Sequence, residues 1–225
     1  NSADRIIVTS ATTKREFRQI TNQPIQVITN GFDGAVTIKQ NLDKKFTISH
    51  IGSMLTGRNP TKLWQVLSEL LKQNSEFKNA LQLQFIGVIS DDVLQSMNDM
   101  GLQNHIEVIG YVSHEKALEY QKASQILLLV EIDSQETIGI IPGKLFEYMA
   151  AKRPILGVGP KNWEVADIVS DTKSGCIFEH LDDIALKNVL LDWFVQFQKG
   201  ELSVSSYNIE QYSRRELTRK LAEYI

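Results

Sequence analysis

The sequence predicts an α/β domain, a parallel sheet covered by helices on both faces. Three observations carry this prediction. From Phe46 onward, short apolar runs alternate with helix-length amphipathic segments, the order that builds βαβ units. One of those runs, Ile126-Leu127-Leu128-Leu129-Val130, is apolar without alternation, as suits a central strand buried on both sides. The chain has 225 residues, 42% of them hydrophobic and 23% charged, enough for one well-buried domain with appendages.

Ile6-Ile7-Val8-Thr9 reads as a strand, and a polar helix-like segment follows from Thr12 to Ile20 until Asn22-Gln23-Pro24 breaks it. Ile25 to Thr29 reads as a second strand, ending at the turn signal Asn30-Gly31. Asp33 to Lys45 is polar and irregular and reads as a linker. The regular part then begins. Strands are predicted at Phe46–Ile51, Leu81–Ile86, Ile106–Ile109, Ile126–Val130, Ile155–Val158 and Cys176–Phe178. Helices are predicted between them at Pro60–Lys72, Asp91–Asp99, His114–Lys122, Gly143–Ala151 and Trp163–Ser170. Ser113 is placed to cap the helix from His114, with Glu115 near its positive end. Asp182–Gln198 is a long amphipathic helix in which Leu186, Val189, Leu190, Trp193 and Phe197 recur at helical spacing. Its Asp182-Asp183 pair suits the helix start better than a metal. A polar loop after Gly200 leads to a terminal helix from Ile209 to Tyr224. Trp64, Trp163 and Trp193 read as packing residues, and no internal repeat or low-complexity tract interrupts the pattern.

Composition excludes several classes of function. A net charge of −3 offers no footprint for nucleic acid. No apolar run approaches the roughly 20 residues of a membrane helix. No His, Cys and Asp cluster has metal-ligand spacing, so no metal site is expected. Cys176 is the single cysteine, which rules out an internal disulfide and fits a reducing, cytoplasmic compartment. Lying between Gly175 and Ile177 in a strand pattern, it reads as a buried structural thiol. The chain opens Asn1-Ser2-Ala3 with neither a methionine nor a signal peptide, and we expect a fragment of a longer protein.

Three loops carry residues suited to chemistry, and each follows a predicted strand. In Gly52-Ser53-Met54-Leu55-Thr56-Gly57-Arg58-Asn59-Pro60, a glycine-containing loop leads into a helix, a candidate anion site. Gly52 lets a ligand approach the backbone, and Arg58 is either a planar fork for phosphate oxygens or a solvated loop residue. Gly110-Tyr111-Val112-Ser113-His114-Glu115 is, on pattern alone, a plain strand-to-helix turn with His114 exposed. The third is Ile141-Pro142-Gly143-Lys144-Leu145-Phe146-Glu147-Tyr148-Met149-Ala150-Ala151-Lys152-Arg153-Pro154-Ile155-Leu156. It opens with Pro-Gly, turns helical, and closes at Lys152-Arg153-Pro154 before another apolar run. A helix start beyond a strand's C-terminal end is where α/β folds bind phosphates, so the N–H groups near Gly143 can cradle a diphosphate. Lys144 adds a cation, and Glu147, one turn on, can accept from ribose hydroxyls. The plainer alternatives are a solvated lysine and a carboxylate facing the helix dipole.

This last stretch resembles the donor domain of GT-B glycosyltransferases. The resemblance is specifically to the large retaining group 1, family 4-like enzymes, which carry a Lys-Leu-Phe-Glu-Tyr-like segment, small residues and then Pro-Ile-Leu. Ala3-Asp4-Arg5-Ile6-Ile7-Val8-Thr9-Ser10 looks like the family's last N-domain strand and the start of the following helix. Ile28-Thr29-Asn30-Gly31-Phe32-Asp33 looks like the element just before the donor domain, and the terminal helix looks like the one that crosses back. The resemblance implies three parts. Residues 1–33 would be the remnant of an N-terminal domain and interdomain linker, 46–200 a Rossmann-like nucleotide-sugar-binding domain, and 201–225 the crossover helix. The acceptor-binding N-terminal domain would be missing, and contact with a membrane would belong to the full-length protein.

The resemblance also implies roles. Arg58 and Lys144 would contact the donor diphosphate and act in catalysis, with Gly52, Ser53, Gly143 and Leu145 beside them. Tyr111 and Val112 would meet the base, and Glu147 the ribose. Two positions depart from the family pattern. Ser53 stands where a second arginine is frequent, and Gly139 stands where the first of two glutamates separated by seven residues lies near the transferred sugar. Glu131, Asp133 and Glu136 in the preceding loop are the carboxylates available to replace it. The implied activity is transfer of a hexose-type sugar, with retention, from a UDP- or GDP-sugar to a glycan or lipid-linked acceptor without a metal. The alternatives are a nucleotide-sugar-binding module without catalysis, which the two departures favour, and a GT-B-like nucleotide-sugar epimerase. Substitution of Lys144 or Glu147 in the full-length protein separates enzyme from module. A product assay without acceptor separates transferase from epimerase.

Overall fold

The computed structural model describes residues 3–33 and 40–225. Two parallel sheets are found among them. A small one pairs β1 (Ile6–Val8) with β2 (Ile25–Val27) across the helix α1 (Ala11–Phe17). The main one contains β3 (Phe46–Ile51), β4 (Leu81–Ile86), β5 (Ile106–Gly110), β6 (Ile126–Val130), β7 (Ile155–Gly159) and β8 (Gly175–Glu179). Their order is β5-β4-β3-β6-β7-β8, all parallel. The chain winds outward from β3 on one side, then restarts at β6 and winds outward on the other. The crevice beyond the C-terminal ends of β3 and β6 is therefore the switch point, where doubly wound sheets bind ligands.

Helices cover both faces, as predicted. On one face lie α2 (Thr61–Gln73), α3 (Ser75–Ala80), α4 (Asp91–Asp99) and α8 (Ile184–Gln198). On the other lie α5 (His114–Ala123), α6 (Lys144–Ala151) and α7 (Glu164–Asp171). The first face encloses Trp64, the edge-to-face trio Phe46, Phe77 and Phe194, and the stripe Leu186, Leu190 and Trp193 read from α8's periodicity. Trp163 is buried on the second face and donates its indole N–H to the Ile140 carbonyl at 2.8 Å. Cys176 is a free thiol only partly buried in β8, and burial raises its pKa.

Several boundaries differ from the sequence reading. The helix α3 was not predicted; Asn74 ends α2 and its side chain then caps Phe77 N at 3.0 Å. The first helix stops at Phe17, short of Ile20, and β2 stops at Val27. The terminal segment is not one helix. A 3-10 turn at Ile209–Tyr212 precedes α9 (Arg214–Tyr224), and Ser213 between them caps Glu216 N at 3.3 Å. The predicted linker has no regular structure where it is described, and its residues 34–39 lie outside the described residues.

Two contacts fix the small sheet against the main domain. The Glu164 carboxylate accepts the Ala11 and Thr12 amides at 2.5 and 3.0 Å, neutralising the positive end of α1. Gly139 lies under the same turn, where an added Cβ would sit 2.7 Å from Thr12 Cβ. At the other end, Phe32 exchanges backbone hydrogen bonds with the segment before α9: Phe32 N to Tyr212 O at 3.1 Å and Arg214 N to Phe32 O at 2.8 Å.

Candidate functional site

The site is built at the switch point. After Ile51 the chain turns through Gly52 at φ 111°, a backbone conformation that favours glycine. Tyr148, reaching across from α6, ties this turn down. Its hydroxyl accepts Ile51 N at 3.0 Å and lies 3.3 Å from Ile51 O as a donor. Full burial pushes that phenol's pKa well up, so it stays protonated and able to donate. One turn earlier on α6, the Lys144 ammonium passes directly over Gly52; a Cβ there would sit 2.8 Å from Nζ. Glycine at 52 is required by its φ, and a side chain there would displace the lysine tip above it.

Arg58 comes from the loop after β3 and pairs at 3.0 Å with Glu131, at the C-terminal end of β6. The Glu131 carboxylate is buried; it also accepts Ile132 N at 2.9 Å, and its backbone carbonyl is held by His180 at 2.7 Å. Of the three carboxylates that could replace the glutamate absent at Gly139, Glu131 alone faces the cations, and Arg58 and the Ile132 amide already engage it. Asp133 and Glu136 are exposed. Burial, and secondarily the charge of Arg58, lowers the Lys144 pKa to about 8, while Glu131 and Glu147 pull the other way. His50, near the end of β3, completes the group. Its Nε2 lies 3.4 Å from Lys144 Nζ and its Nδ1 lies 3.1 Å from Leu128 O. Burial and the adjacent ammonium lower its pKa to about 3, so it is neutral at ordinary pH.

The start of α6 leaves backbone donors open. Leu145 N is turned back to Pro142 O at 3.0 Å and the Leu145 side chain lies in the core, so the amides next to the crevice are those of Gly143 and Lys144. Nothing lies within 4 Å of where a Gly143 Cβ would be, so this helix end is open to a ligand. Glu147, one turn further, accepts Gln121 Nε2 from α5 at 2.9 Å. Because a carboxylate only accepts, the Gln121 amide orientation is settled, and its buried Oε1 has no partner. Two cavities flank Glu147. One of about 530 Å³ is lined by Thr29, Asn30, Gly143, Arg214 and Thr218. The other, of about 510 Å³, is lined by Asp33, His114, Leu118, Gln121 and Arg214.

The structure therefore brings Gly52, Arg58, Gly143, Lys144 and Glu147 to one rim of the sheet. Ser53 is exposed there, and its carbonyl lies 3.4 Å from His50 Nε2. Tyr111, 91% exposed, and Val112, packed on the second core, stand at the turn before α5. Sequence reasoning missed His50, Gln121, Glu164 and Arg214. His50 had a signal: Thr47, Ser49 and His50 are polar residues in a strand that is buried throughout. The other three lie on helices, where nothing in the pattern sets them apart.

A doubly wound parallel sheet with cations and a helix start at its switch point defines a class of nucleotide-binding α/β folds. Residues 45–194, two thirds of the chain, match the family described as glycosyl transferases group 1, and the chain belongs to that family. No curated protein matches the sequence significantly. Solved structures of GT-B glycosyltransferases share the fold. Anabaena Alr3699/HepE in complex with UDP-glucose is 15% identical with a TM-score of 0.74, covering 99% of this chain and 63% of its own. A variant of S. aureus TarM in complex with fondaparinux, alpha-GlcNAc-glycerol and UDP is 18% identical with a TM-score of 0.67, over 99% and 44%. Sucrose-phosphate synthase from Thermosynechococcus elongatus is 13% identical with a TM-score of 0.68, over 99% and 58%. The chain thus spans 44% to 63% of the length of these three structures. Among the described residues, no helix is long and apolar enough to cross a membrane.

Proposed function

We propose that this chain is the donor-binding part of a glycosyltransferase and holds a nucleoside-diphosphate sugar, UDP- or GDP-linked, at the switch point. The observation that carries the reading is the Lys144 ammonium poised over Gly52 beside Arg58, at a helix start that is open beside Gly143. Arg58 is paired with Glu131, whereas Lys144 has no ion-pair partner among the described residues and only the more distant fields of Glu131 and Glu147, which leaves its ammonium available to a diphosphate. As the bond from the anomeric carbon to the diphosphate oxygen breaks, its electron pair moves onto that oxygen. Arg58, Lys144 and the helix start stabilise the growing charge, the electrostatic logic of preorganised sites. These groups supply the stabilisation from protein alone, so the reading calls on no metal. Glu147 accepts from the ribose, and Tyr111 and Val112 border the base. The Anabaena and S. aureus neighbours are complexed with UDP-glucose and UDP, which supports this reading of the donor. In the full-length protein, residues 1–33 would close an acceptor domain, 46–200 form the donor domain and 201–225 cross back. Its reaction would transfer a hexose with retention, on the cytoplasmic side, to a glycan or lipid-linked acceptor.

One observation favours a second reading, a donor-binding module without turnover. The place of the family's first glutamate is closed by Thr12 and Ser10 around Gly139, and the carboxylate that faces the cations, Glu131, is already engaged by Arg58 and the Ile132 amide. A thermal-shift titration with UDP, GDP, ADP and TDP tests donor binding. A nucleoside diphosphate at about 100 times its Kd should add roughly 2.7 kcal/mol of stability. A shift lost in Lys144→Ala supports the site, and a shift that survives the substitution removes it. Turnover of the full-length protein then separates enzyme from module.

A further inference from the structure

His50 is buried near the end of the central strand β3, and its ring nitrogens face three groups. Nδ1 lies 3.1 Å from the Leu128 carbonyl on β6, and Nε2 lies 3.4 Å from both Lys144 Nζ and the Ser53 carbonyl. A neutral imidazole carries one proton. If it were on Nε2, the Nδ1 lone pair would face the Leu128 oxygen at hydrogen-bond distance, two acceptors against each other. Placed on Nδ1, the proton meets the nearer of the two carbonyl oxygens, at 3.1 Å against 3.4 Å for Ser53, and the Nε2 lone pair faces the one donor available to it, the Lys144 ammonium, which also screens it from the Ser53 oxygen. Lys144 makes no ion pair with a carboxylate among the described residues. Its long stem has several rotamers, and something must hold its tip over Gly52.

We propose that His50 is a positioning residue for Lys144: the Leu128 carbonyl fixes its tautomer, and its Nε2 holds the lysine ammonium over Gly52, ready for a phosphate. The proposal rests on the donor-site reading for its consequence, but its geometry stands without a ligand. It also explains a polar side chain inside the core. An acceptor is needed that is neutral and buried. A carboxylate there would pair so strongly with the ammonium that a phosphate could not replace it, whereas an imidazole leaves most of the charge available. The ionisable groups facing Lys144 are His50 from β3, Arg58 from the loop after β3, Glu131 from the end of β6 and Glu147 from α6 itself.

The test uses two amides. Gln at 50 can place an oxygen where Nε2 is, and Asn can reproduce only the Nδ1 contact. The Lys144 titration is followed by the 13C shift of its labelled side chain, assigned by its loss in Lys144→Ala. In the wild-type chain and in His50→Gln the midpoint should fall near 8; in His50→Asn it should move to lower pH by half a unit or more, because the ammonium has lost its acceptor. UDP affinity should follow, near wild type in His50→Gln and reduced about tenfold in His50→Asn at pH 8. Equal lysine midpoints in all three chains overturn the proposal. So does a wild-type His50 whose ring 15N shifts place the proton on Nε2, a measurement that needs no variant to fold. If Lys144→Ala leaves UDP affinity intact, the donor reading fails while the His50–Lys144 contact is still judged by the titration.

Discussion

The two faces of the main sheet differ in what their polar atoms are doing. The face under α2, α3, α4 and α8 is closed by aliphatic residues and an aromatic trio, with ring centroids 4.9 to 5.7 Å apart. The face under α5, α6 and α7 is apolar at its centre, but α6 carries Lys144, Glu147 and Tyr148 towards the sheet rim and its neighbours. The first face is organised mainly for stability, with His50 at its rim the polar exception. The other sacrifices some stability to hold charged and polar groups in fixed positions, as functional sites commonly do. Substitutions on the two faces should therefore separate folding from ligand binding.

The largest effect belongs to the first face. Phe194→Ala opens a cavity within the aromatic trio and should cost about 3–5 kcal/mol in urea denaturation, while the UDP affinity of the folded fraction stays the same. A joint loss of both would erase the distinction between the faces.

Next comes Lys144→Met on the second face, with opposite signs for binding and stability. UDP affinity should fall at least tenfold, about 1.4 kcal/mol. The ligand-free chain should gain stability, because a partly buried ammonium is replaced by an apolar side chain of similar length. The pH dependence checks the cause. The folded chain releases the Lys144 proton at about 8, below the ordinary 10.5. Between those values the unfolded chain binds a proton that the folded chain does not, so stability rises with pH across that window. Below pH 8 both states are protonated and the cost of holding the charge is fully present. The rise should amount to about 1–3 kcal/mol and be absent in Lys144→Met; an identical pH profile in the variant would refute this account of the lysine.

Tyr148→Phe should cost about 1–3 kcal/mol, because the buried Ile51 amide loses its acceptor. It should also weaken UDP binding, since the turn at Gly52 is no longer tied to α6. The smallest effect is expected at Glu164→Ala, about 1 kcal/mol for a lost helix cap. There, hydrogen exchange at the Ala11 and Thr12 amides should accelerate, with the main sheet unaffected; protection unchanged at both amides would show that other contacts hold α1.

Much of this was legible in the sequence. Strand and helix order followed from the alternation after Phe46, and the six main strands fall where apolar runs predicted them; the signal is plainest at β6 and β7, which are buried on both faces and carry no polar residue. Arg58, Lys144 and Glu147 were singled out as candidates by a charge just beyond a strand end or at a helix start and by the family resemblance, and the structure brings the three to one rim of the sheet. Partners were not. That Arg58 pairs with Glu131, that Gln121 holds Glu147 and that Glu164 caps α1 depends on residues 73, 26 and 153 positions apart. The α3 turn was missed because Asn74 both ends one helix and caps the next.

By itself, the sequence determined the class of fold, the family segment and the residue types offered at the switch point, since these depend on periodicity and local spacing. The tertiary structure alone decided which offered groups meet. The charge of Lys144, the tautomer of His50, the closure of Gly139 against Thr12 and the engagement of Glu131 by Arg58 are set by distances of a few ångströms between segments distant in the chain. Desolvation and hydrogen bonding act through those distances and leave no trace in local pattern.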